Sequence, residues 1–214
     1  SKWDLNMLKI LIQKKFQKIL LMPTKVYSDK LLHYEINNLK NDLNNGGIII
    51  YPTETIWAIG CKSTLKKSVE KIYSIKKRSK TLPFINIIDS YLNISNYVNN
   101  FDLETIKIVN KINSPTIIYP NCKKEFNYLS NAKNEIAFRV SPSKLLIRIL
   151  NSLNAPLIST SANLSGENFP TSFNNISSSI LNAVDVILNF EIKSSGKPSS
   201  IIKIKKGEIE YLRK

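Results

Sequence analysis

Apolar positions recur along this chain with two periods, and the two alternate. Lys2 to Met22 carries Leu5, Leu8, Ile12, Phe16, Ile19 and Leu20 at helical spacing among lysines, and Pro23 closes the run. Beyond it the pattern predicts helices over about Asp29 to Asn44, Leu65 to Lys77, Leu103 to Lys111, Ser143 to Leu153 and Phe173 to Asn182. β-Branched or alternating runs predict strands near Ile48 to Tyr51, Phe84 to Ile88, Thr116 to Tyr119, Ile136 to Val140, Leu157 to Ser159, Val186 to Leu188, Ser200 to Ile204 and Ile209 to Leu212. Gly46-Gly47 separates the first long helix from the first of these strands. Such interleaving makes a sheet covered by helices, an α/β fold. No internal repeat is visible, and Ser194 to Ser200, with Gly196 and Pro198, reads as a mobile loop.

Composition narrows the picture. With 214 residues, 43% of them hydrophobic, the chain can bury one full core, so it divides into an N-terminal amphipathic extension, 1–25, and one domain, 26–214. The extension either packs on that domain or meets RNA, a membrane surface or a partner. Lys and Arg number 31 against 16 acidic residues, a formal charge of +15, which favours polyanionic partners. A genome drifting toward A and T would give the same balance, since Ile, Asn and Lys abound. Cys61 and Cys122 stand far apart and His33 is the only histidine. A disulfide framework, a zinc site and Ser-His or Cys-His catalysis are thereby disfavoured, as in a reducing compartment. No apolar run approaches the roughly 18 residues that span a bilayer, and no signal-peptide pattern is present. The expectation is a soluble cytoplasmic protein.

Four polar constellations interrupt the apolar pattern. Tyr51-Pro52-Thr53-Glu54-Thr55 follows a strand, where Pro52 turns the chain and presents Thr53 and Thr55 at a strand end, the ligand edge of open α/β sheets; an ordinary hydroxyl-capped turn is the plainer alternative. Lys76-Lys77-Arg78-Ser79-Lys80 ends a helix, where cations favour the dipole, yet its place before Leu82-Pro83-Phe84 lets Lys76 and Arg78 face a cleft and an anion. Arg139 lies near the end of the apolar strand Ile136 to Val140, where burial without an anion would be costly. Pro156 to Gly166 runs from an apolar entry into Ser159-Thr160-Ser161-Ala162-Asn163-Leu164-Ser165-Gly166, hydroxyls and backbone N–H groups suited to phosphate or carboxylate. Neither G-x-x-x-x-G-K-[ST] nor G-x-G-x-x-G occurs, against a P-loop NTPase or a Rossmann oxidoreductase.

Taken in order, these residues resemble the YrdC-like threonylcarbamoyl-AMP synthase family from about Val26 to Leu212. The anchors are Y-P-T-E-T with Ile59-Gly60, the K-x-R of Lys76 and Arg78, Thr116, A-x-R-V at Ala137 to Val140, and S-T-S-A-N-L-S-G at Ser159 to Gly166. The resemblance implies a single domain with a strongly twisted mixed sheet, flanked by helices, and a basic concave cleft. It implies an enzyme, a nucleotidyltransferase in tRNA processing, that turns L-threonine, bicarbonate or CO2, and ATP into threonylcarbamoyl-AMP and pyrophosphate, with Mg2+ as the expected divalent cation and its ligands unknown. Separate transfer proteins would then carry the group to adenosine-37 of tRNA.

Carried over by position, Lys76 and Arg78 would act on the phosphates as catalytic residues. Thr53, Arg139, Ser159, Ser199 and Ser200 would bind threonine, with Arg139 on its carboxylate. Thr116, Ser161, Asn163 and Lys205 would join Lys76 and Arg78 in binding ATP, Lys205 standing where members carry an arginine. The chain departs from the family pattern at Ser79, Leu82, Glu135 and Phe169, and Asn113-Ser114-Pro115-Thr116 replaces G-P-x-T. These changes leave open a second reading, a non-catalytic member of the fold that binds tRNA or rRNA through its basic face.

Overall fold

The computed structural model describes residues 25–28, 33–110, 112, 114–190, 192, 194–205 and 207–214. The N-terminal extension, the start of the first predicted helix, Lys111, Asn113 and Lys206 lie outside the described residues. Ten strands form one sheet: β1 (Lys25–Ser28), β2 (Ile49–Pro52), β3 (Trp57–Gly60), β4 (Ile85–Ile88), β5 (Thr116–Tyr119), β6 (Ile136–Val140), β7 (Leu157–Ser161), β8 (Val186–Asn189), β9 (Ile201–Lys205) and β10 (Glu208–Arg213). Their spatial order is β1-β8-β2-β3-β7-β4-β6-β5-β9-β10. Pairing is mixed: β1–β8, β2–β8, β4–β6 and β5–β9 are parallel, and the rest antiparallel. The helices are α1 (His33–Asn44), α2 (Lys66–Lys76), α3 (Glu104–Val109), α4 (Lys144–Leu153) and the single turn α5 (Ser178–Leu181).

The continuous apolar run of β2 reflects burial on both faces. Ile48 and Ile50 join one core with Val69, Ile72 and Tyr73 of α2, while Ile49 and Tyr51 join a second with Ile36, Leu39 and Leu43 of α1 and Leu146, Ile149, Leu150 and Leu153 of α4. Local signals set the helix ends. Ser143 caps α4 by accepting the Leu146 N–H at 3.4 Å, and Lys77 ends α2 in the left-handed conformation at φ 50°.

Three local expectations give way to tertiary structure. Trp57–Gly60, given no element in the sequence pattern, is a central strand, and Pro52, rather than merely turning the chain, pairs with Trp57 as the hairpin's last rung. Gly60 is required there, because a Cβ would stand 2.0 Å from the Ile158 carbonyl oxygen and 3.0 Å from the Tyr51 ring. The helix predicted from Phe173 to Asn182 is instead a 3₁₀ turn, Phe173–Asn175, and α5, because Ile176 is extended at ψ 127°; Ser and Asn there bond to one another through Ser172–Asn175 and Ser177–Ser179. Finally, Ser194 to Ser200 is tied down. Ser195 donates its N–H to the Glu54 carbonyl at 2.9 Å, the Ser194 hydroxyl donates to the Thr55 carbonyl, and Ser199 shares a 2.8 Å hydrogen bond with Thr116.

The two helices α1 and α4 cover only part of their face of the sheet. The second core includes Ala58 of β3 and Ile87 of β4, and both residues also line an open cavity of about 330 Å³. That cavity lies on the same side of the sheet as α1 and α4.

Candidate functional site

The cavity wall collects residues from six strands and four loops. It is lined by Thr53, Thr55, Arg78, Arg139, Ser159, Thr160, Ser161, Ser199 and Arg213, with Ile56, Ile85, Ile87, Phe169, Pro198 and Ile201 among its apolar members. Its volume lies at the lower end of the range for small-molecule sites.

Each of the three arginines is fixed in the same way. Arg78 donates Nε–H to the Leu82 carbonyl at 3.1 Å, Arg139 to Ser114 at 2.9 Å and Arg213 to Ser199 at 2.9 Å. A carbonyl anchor orients a guanidinium without neutralising it; Arg78 also turns one Nη2–H to the Pro83 carbonyl at 3.5 Å. Arg78 also lies over Phe84, 5.3 Å from the ring centroid, and Phe84 stacks on Tyr73 at 4.1 Å. Burial lowers the pKa of all three, yet guanidinium stays protonated.

Arg139 alone meets a carboxylate. Its Nη2 stands 2.7 Å from Glu54 Oε1, and its Nη1 donates to the Thr55 hydroxyl at 3.3 Å. The Glu54 contact is an ion pair without hydrogen-bond alignment, since neither Glu54 oxygen has a hydrogen-bond partner among the described residues. Arg78 and Arg213 form no ion pair among those residues. Among the described residues, Arg78 and Arg213 therefore bring positive charge to the cavity that no carboxylate pairs.

The hydroxyls divide into those spent locally and those facing the cavity. Thr53 Oγ1 closes the hairpin turn: it donates to the Ile56 carbonyl at 2.7 Å and accepts the N–H groups of Thr55 and Ile56 at 3.2 and 3.1 Å. Thr53 lines the cavity, but its hydroxyl builds the turn that positions Thr55. Ser159 and Ser161 line it directly.

Five residues expected from the sequence to meet substrate do not line the cavity. Lys76 is buried, with Nζ donating to the carbonyls of Ser161 and Asn163 at 2.5 and 2.6 Å and to Asn163 Oδ1 at 3.3 Å. Burial, reinforced by the charge of Arg78, pushes its pKa down to about 8, against the opposing charge of Glu167. Asn163 is committed in turn, donating Nδ2–H to the Glu167 carbonyl at 2.6 Å. Thr116 is buried behind Ser199, and the Ser200 carbonyl accepts the Thr116 N–H at 2.9 Å. Lys205 does not line the cavity and pairs with Glu210 at 2.7 Å, both side chains exposed.

Arg213, not singled out in the sequence, brings a guanidinium to the cavity wall. Along β9–β10 Glu208 faces Lys205, Glu210 faces Lys203 and Tyr211 faces Ile202; strict alternation would then set Leu212 opposite Ile201. A bulge after Tyr211 sets Arg213 opposite Ile201 instead, on the cavity side. The Y-L-R ending of β10 was the available signal, but one inserted residue reverses which side chain faces inward.

The departures at positions 82 and 135 have local compensation. Leu82 exposes its side chain, yet its carbonyl holds both Arg78 and the Tyr73 hydroxyl, the latter at 3.3 Å. Glu135 pairs with Lys203 at 2.6 Å and accepts Asn131 Nδ2–H at 2.9 Å, contacts that lower its pKa despite burial.

Comparison with known proteins identifies the family and the fold. The family model described as "Telomere recombination" (Sua5/YciO/YrdC) matches residues 41–214. The chain belongs to the Sua5/YciO/YrdC family. A Methanocaldococcus jannaschii protein named as a threonylcarbamoyl-AMP synthase is 33% identical over 176 residues, 82% of this chain and 83% of that protein. Escherichia coli YciO superposes with a TM-score of 0.74 at 23% identity, covering 91% of this chain and 96% of YciO. P. abyssi Sua5 complexed with L-threonine superposes with a TM-score of 0.77 at 18% identity, covering 90% of this chain and 57% of that longer one. At these identities the two structures establish the common fold, the α/β architecture with its large mixed sheet.

Among the described residues no three His, Cys, Asp or Glu side chains cluster, and the cavity lining contains no carboxylate. The donor set does not make a resident metal site. Nor is any described helix long and apolar enough to cross a membrane.

Proposed function

We propose that this chain is a threonylcarbamoyl-AMP synthase acting on L-threonine, CO2 or bicarbonate, and ATP. The observation that carries the reading is the set of three guanidinium groups, each anchored through Nε to a backbone carbonyl, around one hydroxyl-lined cavity. The relative named for this activity and the Sua5 structure containing threonine support it.

The reaction must bring several anions together. Arg139 receives the threonine carboxylate beside the hydroxyls of Thr55 and Ser159, and Arg78 and Arg213 receive the phosphates. The threonine nitrogen attacks the carbon of CO2, forming the N–C bond and releasing a proton to water. A carbamate oxygen then attacks the α-phosphorus, the bond from that phosphorus to the bridging oxygen breaks, and pyrophosphate leaves with the electron pair. Mg2+ enters as the Mg-ATP complex. Preoriented positive charge and proximity lower the barrier, and no protein nucleophile is needed.

The product is an activated adenylate for a later transfer to tRNA by separate proteins. A concave cavity with fixed guanidinium groups favours small-molecule chemistry over the RNA-binding alternative, which needs only an accessible basic face. Incubation with labelled bicarbonate, L-threonine and Mg-ATP should yield threonylcarbamoyl-AMP and pyrophosphate. No product above a heat-killed control would overturn the reading.

A further inference from the structure

Six of the seven described phenylalanines belong to the core: Phe84, Phe138 and Phe190 are buried, and Phe101, Phe126 and Phe173 pack against the larger cluster. Phe169 does not. It is 38% exposed, packs against neither core cluster, and forms no ring contact with another described aromatic residue.

Its position is also fixed by its neighbours. The chain turns at Gly166, φ 89°, and Pro170 directly after Phe169 is buried, so the ring stands on a short loop held at both sides. Phe169 lines the same cavity as Arg78, Arg139 and Arg213, where Ile201 and Pro198 add further apolar surface. A ligand that matches both halves carries several negative charges on one part and a flat apolar ring system on another. Threonine and CO2 lack the ring; inorganic pyrophosphate lacks it too. A nucleotide has both.

We propose that Phe169 is the nucleobase platform of this cavity, stacking on the adenine ring while Arg78 and Arg213 hold the phosphates. The inference rests on ATP being a substrate, as argued above, and adds which side chain recognises the base. Stacking on an exposed aromatic ring is worth about one to two powers of ten in affinity. It is tolerant of base identity, because every base presents a π-face.

The test is calorimetric binding of ATP and of tripolyphosphate to the full chain, in wild type, Phe169→Ala and Phe169→Trp. Wild type should bind ATP about 10-fold more tightly than tripolyphosphate; Phe169→Ala should erase that preference while leaving tripolyphosphate affinity unchanged, and Phe169→Trp should retain it. Because the ring is outside both cores, urea denaturation of the variants should match wild type. A preference that survives Phe169→Ala overturns the proposal, and so does equal loss of both ligands in the two variants, which would mark a structural role. If wild type binds ATP and tripolyphosphate equally, the platform fails but the cationic site stands. If it binds neither, the synthase reading fails first.

Discussion

Lys76 and Arg78 lie two residues apart at the end of one helix, and they serve different purposes. The ammonium of Lys76 turns inward, and its hydrogen bonds go to three oxygens of Ser161 and Asn163. The guanidinium of Arg78 spends Nε on Leu82 and lines the cavity. The same contrast separates Lys76 from Arg139 and Arg213. An ammonium has three donors on one atom, so three protein acceptors exhaust it, whereas a guanidinium anchored through Nε still presents a fork to a ligand. In this molecule the buried lysine ties down the Ser161 to Asn163 backbone, and the arginines line the cavity.

Substitutions can break that contrast. The largest effect is expected for Arg139→Ala, which should raise the KM for threonine about 100-fold, the scale of losing a charge-assisted hydrogen-bonded pair of about 3 kcal/mol, with little change in the KM for ATP. Equal increases for both substrates would remove Arg139 from the carboxylate role. Lys76→Met should next lower unfolding stability in urea by about 3 kcal/mol, because two buried carbonyls lose their cation, while the folded fraction keeps its KM values. A stable Lys76→Met protein with a raised ATP KM would instead put Lys76 with the arginines.

Arg213→Lys sharpens the difference between charge and fork. It keeps the charge but removes the Nε anchor to Ser199, and the KM for ATP should rise about 10-fold, the scale of one lost charge-assisted bond. An unchanged KM would mean that charge alone suffices at this position. Smallest of all, Lys205→Ala should change neither stability nor the KM for ATP, since its exposed pair with Glu210 stands away from the cavity. A loss of ATP binding there would revive the assignment that the β10 bulge replaced.

Much of the fold was legible because its signals are local. The alternating runs of β5 and β6 have the expected bounds, and α2 and α4 end where their caps indicate. Trp57–Gly60 was missed as a strand because it carries no alternation of its own; it is buried by pairing with β2 and β7. At the site, Arg78, Arg139, Ser159, Ser161 and Ser199 were singled out from the sequence and line one cavity. Arg213 was not, because a bulge has no signature in residue spacing, and Phe169 had been noted only as a departure from a family pattern.

The sequence by itself determined most of the helices and strands, and that polar groups suited to an anion gather at the strand ends around Thr53, Arg139 and Ser159. Those properties follow from periodicity, caps and the cost of burying unpaired charge, all readable within a few residues. Only the tertiary structure decided which cations remain available. That choice depends on carbonyls far away in the chain, Ser161 for Lys76, Ser114 for Arg139 and Ser199 for Arg213, and on a single bulge that turns Arg213 inward. A side chain's donors are allotted by geometry after the strands have paired.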